Sequence, residues 1–457
     1  MSPLALELCD RALALASEGR VLACAPSTVF DGSGSEPAGA AAWHALHLRP
    51  TEISTRHWRE LGAAGAFAAR AAALVAAELR ARLAGRGAGE RGLWIAAPAA
   101  LSPRDLETLL GIAEQLSLPV HGCVDAAVAS ASALGLDAPA LVVELGLHDA
   151  HVTALEVAGE VRRRDALGSS GGLCELYQQW SALLGVASVR RTRFDPLHDA
   201  ATEQRLLEAL PALGAAAAAR GEALAVLEHE GRRFEVALTR DQLAAAGRPV
   251  YGAIVRLLRA LRPAGAPITL IVPRLALDLP GLPEALAEFG DCELIAIEDG
   301  FAAAALSALE PPQRLDGEPV RLLRRLPPAQ RAQTSPLAAR RLLKRPPARA
   351  PTHVLFGAAT YPLAAEPLGI GRAPAHARAL VLPEGLAGVS RAHCALIVEG
   401  GEAVLVDHSR FGTFVNGERV RERTRVVSGD RIRIGEPGVE LVLIAVGSAG
   451  ERHAATA

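Results

Sequence analysis

Gly371-Arg372, Ser390-Arg391-Ala392-His393 and Asp407-His408-Ser409-Arg410-Phe411-Gly412-Thr413-Phe414-Val415-Asn416-Gly417 follow one another in a short stretch rich in β-forming residues. Between them, Cys394-Ala395-Leu396-Ile397-Val398 and Ala403-Val404-Leu405-Val406 read as half-buried strands. Turn signals at Glu399-Gly400-Gly401, Asn416-Gly417-Glu418 and Ser428-Gly429-Asp430 separate them. Short strands with turns roughly every 8–12 residues argue a β-sandwich. Arg372 follows a glycine after Pro367-Leu368-Gly369-Ile370, so its side chain is expected on a loop rather than along a sheet face, with Ser390 and Arg391 on a second loop. Such a grouping suits phosphate. A phosphorylated side chain carries about −1.5 to −2 charge and three acceptor oxygens, and guanidinium forks with short hydroxyl or backbone donors match it best.

In this order and spacing the three motifs resemble a forkhead-associated (FHA) domain, placed at residues 352–447. The resemblance implies that Arg372, Ser390 and Arg391 contact the phosphate of a phosphothreonine-containing partner protein. It also implies that His393 and Asn416, with the turn glycines Gly371 and Gly412, hold the loops. Where the family usually has Ser-x-Asn-Gly-Thr, this chain has Ser409-Arg410-Phe411-Gly412-Thr413. Phe411 thus replaces the asparagine expected to clasp the ligand backbone, while Arg410 adds a charge on the same loop.

Working outward, residues 311–351 change to Pro, Arg, Gln and Ala, as in Arg345-Pro346-Pro347-Ala348-Arg349-Ala350-Pro351. This composition reads as a semi-extended tether. Thr334-Ser335-Pro336 on it is a candidate phosphorylation site, and so a route to self-association through the FHA domain. Residues 448–457 read as a flexible tail.

The first 310 residues alternate strands and helices: 4–15 with a return strand at 20–24, strands at 93–97, 140–145, 150–157 and 268–272, and helices at 103–117, 171–184 and near 301–309. Such alternation argues α/β architecture with helix-covered sheets. Four segments extend the reading. They are Leu4-Ala5-Leu6-Glu7-Leu8-Cys9-Asp10 with Gly19-Arg20-Val21-Leu22-Ala23-Cys24; Ile95-Ala96-Ala97-Pro98 leading to Val124-Asp125-Ala126-Ala127; Leu141-Val142-Val143-Glu144-Leu145-Gly146-Leu147-His148; and Ile268-Thr269-Leu270-Ile271-Val272-Pro273-Arg274. In that order they resemble the actin and heat-shock-chaperone ATPase superfamily, in particular bacterial actin homologues.

The resemblance places a nucleotide cleft at Glu7, Asp125 and Glu144. The phosphate hairpins of that superfamily are glycine-rich because only glycine lets backbone N–H groups approach so closely. Here Cys9 and Leu147 stand in those hairpins, and Pro273-Arg274 replaces the Gly-Gly of the adenosine segment. Glutamate in place of aspartate also shifts a carboxylate by one methylene, and Mg²⁺ demands strict geometry. The expectation is a pseudo-ATPase with no catalytic residues, no metal and no resident cofactor. The alternative is an ATP-binding, chaperone-like or filament-forming ATPase regulated through its FHA domain.

Composition bounds the rest. The 457 residues carry a formal charge of −2, which gives no reason to expect nucleic acid as a partner. Six scattered cysteines without a Cys-x-x-Cys read as buried thiols of a reducing cytoplasm. No basic-apolar leader is evident, and the Ala-rich run 63–84 is broken by Arg70, Glu78, Arg80 and Arg82, so it reads as an amphipathic helix rather than a membrane insertion. Gly168-Ser169-Ser170-Gly171-Gly172 reads as a turn before a helix rather than a nucleophile elbow. His148 and His151 read as polar loop residues, and the runs 162–164 and 190–193 as solvated loops. The whole is expected to be a cytoplasmic, multidomain signalling adaptor: an actin-like α/β module, a Pro/Arg linker and an all-β FHA sandwich.

Overall fold

The computed structural model describes the chain except residues 1, 32–37, 263–267, 288–291, 311–318, 330–336, 344–349, 358, 417, 436–437 and 447–457. The candidate phosphosite at Thr334 and the tail 448–457 therefore lie outside the described residues. The chain divides into two compact units, Met1–Lys344 and Arg345–Ala457.

Among the described residues the first unit holds two large mixed sheets. In spatial order the first runs Leu322–Leu323, Val120–Asp125, Leu93–Ala97, Leu4–Glu7, Ala12–Ser17, Arg20–Pro26. The second runs Arg325–Leu326, Val161–Ser170, Asp149–Val157, Ala140–Leu145, Ile268–Pro273, Cys292–Ile297, Ala338–Leu343. One plan underlies both. An antiparallel three-strand meander (4–26 and 140–170) is extended from its first strand by two parallel strands (93–97 then 120–125; 268–273 then 292–297).

Two alanine-rich helices lie between the sheets. Ala126 and Ala129 of helix Ala126–Ala133 pack with Ala5, Ala16, Trp94 and Val124 of the first sheet. Ala127, Val128 and Ala131 of the same helix pack with Val142, Leu155, Ile271 and Ile295 of the second. Helix Phe301–Ser307 joins both groups through Phe301, Ala302 and Ala303. Methyl side chains let helix and sheet backbones approach closely while still removing apolar area from water, at about 25 cal/mol per Å². The helices of 173–261 and the hairpin Glu222–His229 with Arg232–Thr239 close the outer face of the second sheet around Trp180, whose Nε1 donates to the Leu243 carbonyl at 3.0 Å.

Three expectations are corrected here. The segment 311–351 is not simply a tether: Leu322–Leu323, Arg325–Leu326 and Ala338–Leu343 add strands to the two sheets. Val320 and Leu322 pack on the first core, Leu326 and Leu337 on the helix layer, and the Ser132 hydroxyl donates to the Pro327 carbonyl at 2.6 Å. The arginine runs are not loops either. Arg162–Arg164 lie on strand Val161–Ser170, and Arg190 and Arg191 end the helix Leu173–Thr192. The cysteines are all free, but Cys24 is exposed.

In the second unit two sheets enclose one core. One runs Ala359–Pro362, His353–Phe356, Val439–Ile444, Arg431–Ile434, Thr413–Val415, Glu418–Arg419; the other runs Arg378–Val381, Leu368–Gly371, Cys394–Glu399, Glu402–Asp407, Arg423–Val426. Pairing is antiparallel except between Leu368–Gly371 and Arg378–Val381. Alternate residues such as Leu368 and Ile370, Ile432 and Ile434, and Leu441 and Leu443 point inward and are almost wholly buried.

Candidate functional site

Strand Leu368–Gly371 ends where Gly371 passes against the chain of the neighbouring loop. A Cβ on Gly371 would lie 2.2 Å from the Arg391 carbonyl oxygen, which only glycine avoids. That close approach lets the two loops lace together by backbone bonds: Arg372 N–H to the Ser390 carbonyl at 3.2 Å, Ala373 N–H to the Arg391 carbonyl at 2.9 Å, and His393 N–H to the Ile370 carbonyl at 2.8 Å. Arg372 and Arg391 are thereby carried on adjoining segments with exposed side chains.

His393 is fully buried beneath them. Its Nδ1 accepts the Ser390 N–H at 3.1 Å and its Nε2 donates to the Gly412 carbonyl at 3.3 Å. One neutral imidazole therefore ties the Ser390 loop to the 407–413 loop. Burial lowers its pKa below the usual histidine value and keeps it neutral, with the Gly412 carbonyl and Asp407 opposing.

The third loop arches over Asp407, whose carboxylate accepts from Ser409 N–H at 3.0 Å, the Thr413 hydroxyl at 2.7 Å and Thr413 N–H at 3.3 Å. Burial pushes that carboxyl up, and the bonds from Thr413 and Ser409 outweigh it, so its pKa lies below the ordinary aspartate value. Gly412 has φ +98°, a conformation that L side chains rarely adopt. Arg410 is exposed, and its backbone N–H donates to Ser390 Oγ at 3.2 Å. The serine hydroxyl still has its own proton to donate. Asn416 supports the far turn, its amide donating to Asp430 at 2.9 Å and its carbonyl accepting from Arg431 N–H at 3.0 Å. Three exposed guanidinium groups and a serine hydroxyl thus share one laced set of loops, a surface able to receive a dianion.

Residues 368–435 match the family model described as FHA domain. This segment of the chain is an FHA domain. FHA domains bind phosphothreonine-containing proteins, so the segment implies a phosphopeptide-binding adaptor or scaffold role. No curated protein matches the chain. The departure at Phe411 is plain in the FHA structure: the ring is 60% exposed, with the Arg410 guanidinium 5.9 Å from its centre.

In the first unit a cavity of about 270 Å³ opens between the two sheets, lined by turns 7–12, 98–101, 144–151 and 297–302. The three carboxylates of the expected nucleotide site each have a partner within the chain. Glu7 accepts the Ala303 N–H at 3.1 Å, near the start of helix Phe301–Ser307. Asp125 caps helix Ala126–Ala133 through Ala127 N–H at 3.1 Å and pairs with Arg163 at 2.8 Å. Glu144 accepts the Ala99 N–H at 3.1 Å, and burial, reinforced by the nearby Asp125, pushes its pKa up to about 7. Arg163 was hidden from sequence reasoning inside the run Arg162-Arg163-Arg164; only the pairing of its strand turns it toward Asp125. His148 bonds Thr55 at 2.9 Å and His151 lies 3.4 Å from Asp149. Among the described residues no cluster of metal ligands is found, and no helix is long and apolar enough to cross a membrane.

Sequence reasoning also missed a fully buried group: Ser27, His57, Trp58 and Glu78. His57 Nε2 lies 2.8 Å from the Glu78 carboxylate, and both the Ser27 hydroxyl and Trp58 Nε1 donate to it at 2.9 Å. The Ser27, His57 and Trp58 side chains converge on the Glu78 carboxylate, out of reach of solvent, which makes a core network rather than a nucleophile relay.

Proposed function

We propose that this chain is a non-enzymatic adaptor of the cytoplasm whose FHA domain recruits a partner through phosphothreonine. Arg372, Ser390 and Arg391 bind the phosphate, and Arg410 contributes a further charge. The observation that carries the reading is the lacing of the Arg372 and Ser390 loops around Gly371 and His393, which holds two guanidinium groups and a hydroxyl on adjoining backbone. In this reading, phosphorylation of the partner turns binding on by adding charge-assisted hydrogen bonds.

The first unit serves as an actin-like scaffold with a degenerate nucleotide cleft. The same five-strand plan in both large sheets and the alanine helices between them support that architecture. The internal pairing of Glu7, Asp125 and Glu144 supports the degeneracy. Calorimetric titration of the full-length protein tests both halves: heat on adding phosphothreonine peptides but not their unphosphorylated twins, and no heat with Mg-ATP. Tight, Mg-dependent ATP binding would reverse the second half and return the chain to the class of regulated ATPases.

A further inference from the structure

The turn from Ala140–Leu145 to Asp149–Val157 presents two successive backbone N–H groups, those of Leu147 and His148, toward the cleft. Successive N–H groups on a tight turn form a concavity that holds anions. Both donate to the carboxylate of Asp10: Leu147 N–H to Oδ1 at 2.8 Å and His148 N–H to Oδ2 at 3.1 Å. Gly146 makes the room, since a Cβ there would lie 2.3 Å from Asp10 Oδ1.

The next residue braces the same cleft with the opposite charge. Arg11 Nε donates to the Leu145 carbonyl at 3.2 Å, and both terminal nitrogens meet Asp299 at 2.5 Å. Asp10 and Arg11 sit on the turn between Leu4–Glu7 and Ala12–Ser17 of the first sheet, whereas their partners follow strands of the second.

We propose that Asp10 is a resident anion: its carboxylate occupies a phosphate-binding cradle on the turn 146–148 and, with the Arg11–Asp299 pair, braces the cleft in the absence of ligand, so that removing it uncovers a site for a phosphate group. Burial raises the pKa of Asp10 while the Leu147 and His148 N–H groups oppose the rise, as befits a carboxylate held by donors rather than by water. The inference is separate from phosphothreonine recognition, which titration of the same variant with phosphopeptide reads independently.

The test is backbone amide hydrogen exchange on the full-length protein, alone and with inorganic pyrophosphate or Mg-ATP. In the wild type the Leu147 and His148 amides are expected to be protected and indifferent to either ligand. In Asp10→Ala both amides are expected to lose protection, the melting temperature to fall, and pyrophosphate to restore both; a response to Mg-ATP beyond that to pyrophosphate marks a cleft that also takes the nucleoside. Added protection of these amides by either ligand in the wild type would overturn the proposal, because the cradle would then be open. A folded Asp10→Ala that keeps wild-type protection, or shows no response to pyrophosphate, would overturn it as well. If Asp10→Ala does not fold, Asp10→Asn, which keeps the volume and removes the charge, decides: weakened protection at both amides supports the proposal and unchanged protection overturns it.

Discussion

At the residue scale, His393 works only as the neutral tautomer protonated on Nε2, because Nδ1 must accept the Ser390 N–H while Nε2 donates to Gly412. A proton on Nδ1 would face that N–H. Since burial lowers its folded pKa, the unfolded chain takes up the proton first as pH falls. Its contribution is therefore complete above the unfolded value of about 6.5 and is lost as pH drops through the lower folded value. Thermal melting of the FHA domain in the full chain should show a fall in stability below about pH 6.5 that is reduced in His393→Ala. Gly371→Ala should cost about 1–3 kcal/mol in the same melting experiment, because the added methyl meets rigid backbone at Arg391 rather than a yielding side chain. The roles of these two residues could be read in the sequence because each rests on a short motif with fixed local geometry. The role of Asp10 could not: its cradle lies 137 positions away, and the partner of Arg11 lies 288 away. Neither separation leaves a periodic trace.

At the scale of elements, the strands and helices of the first unit that could be read were those with dense apolar runs, such as Leu93–Ala97 and Ile268–Pro273, every residue of which is buried. What escaped were the interior strands Val161–Ser170 and Cys292–Ile297 and the short edge strands. Leu322–Leu323 and Arg325–Leu326 are short and flanked by arginines, because an edge strand has one open side and leaves its long polar side chains in water. Helix Ala200–Arg220, the hairpin 222–239 and helix Arg240–Leu261 were likewise unread, although the hairpin alternates exposed and buried residues along both strands. An internal deletion of 319–326 should lower the melting temperature of the first unit, since it uncovers Cys123, the helix 126–133 and two strand edges. An unchanged melt would return the segment to the role of a tether. Asp125→Ala should cost more than the ~1 kcal/mol of an ordinary helix cap, because it also strips Arg163 of its carboxylate.

At the scale of the whole molecule, the chain joins an FHA domain to a larger α/β unit in which Glu7, Asp125 and Glu144 of the expected nucleotide site are each paired within the chain. That combination fits the adaptor proposed above, in which recognition is switched by a partner's phosphorylation. Phosphate-dependent recognition is tested by the affinity of the full-length protein for a degenerate phosphothreonine peptide library and its unphosphorylated counterpart, in wild type and Arg372→Ala. Binding to the phosphorylated library alone is expected, with a loss of about 1.5–3 kcal/mol in the variant, the value of a charged hydrogen bond. Equal affinity for the two libraries, or a phosphopeptide affinity that Arg372→Ala leaves unchanged, would contradict that expectation.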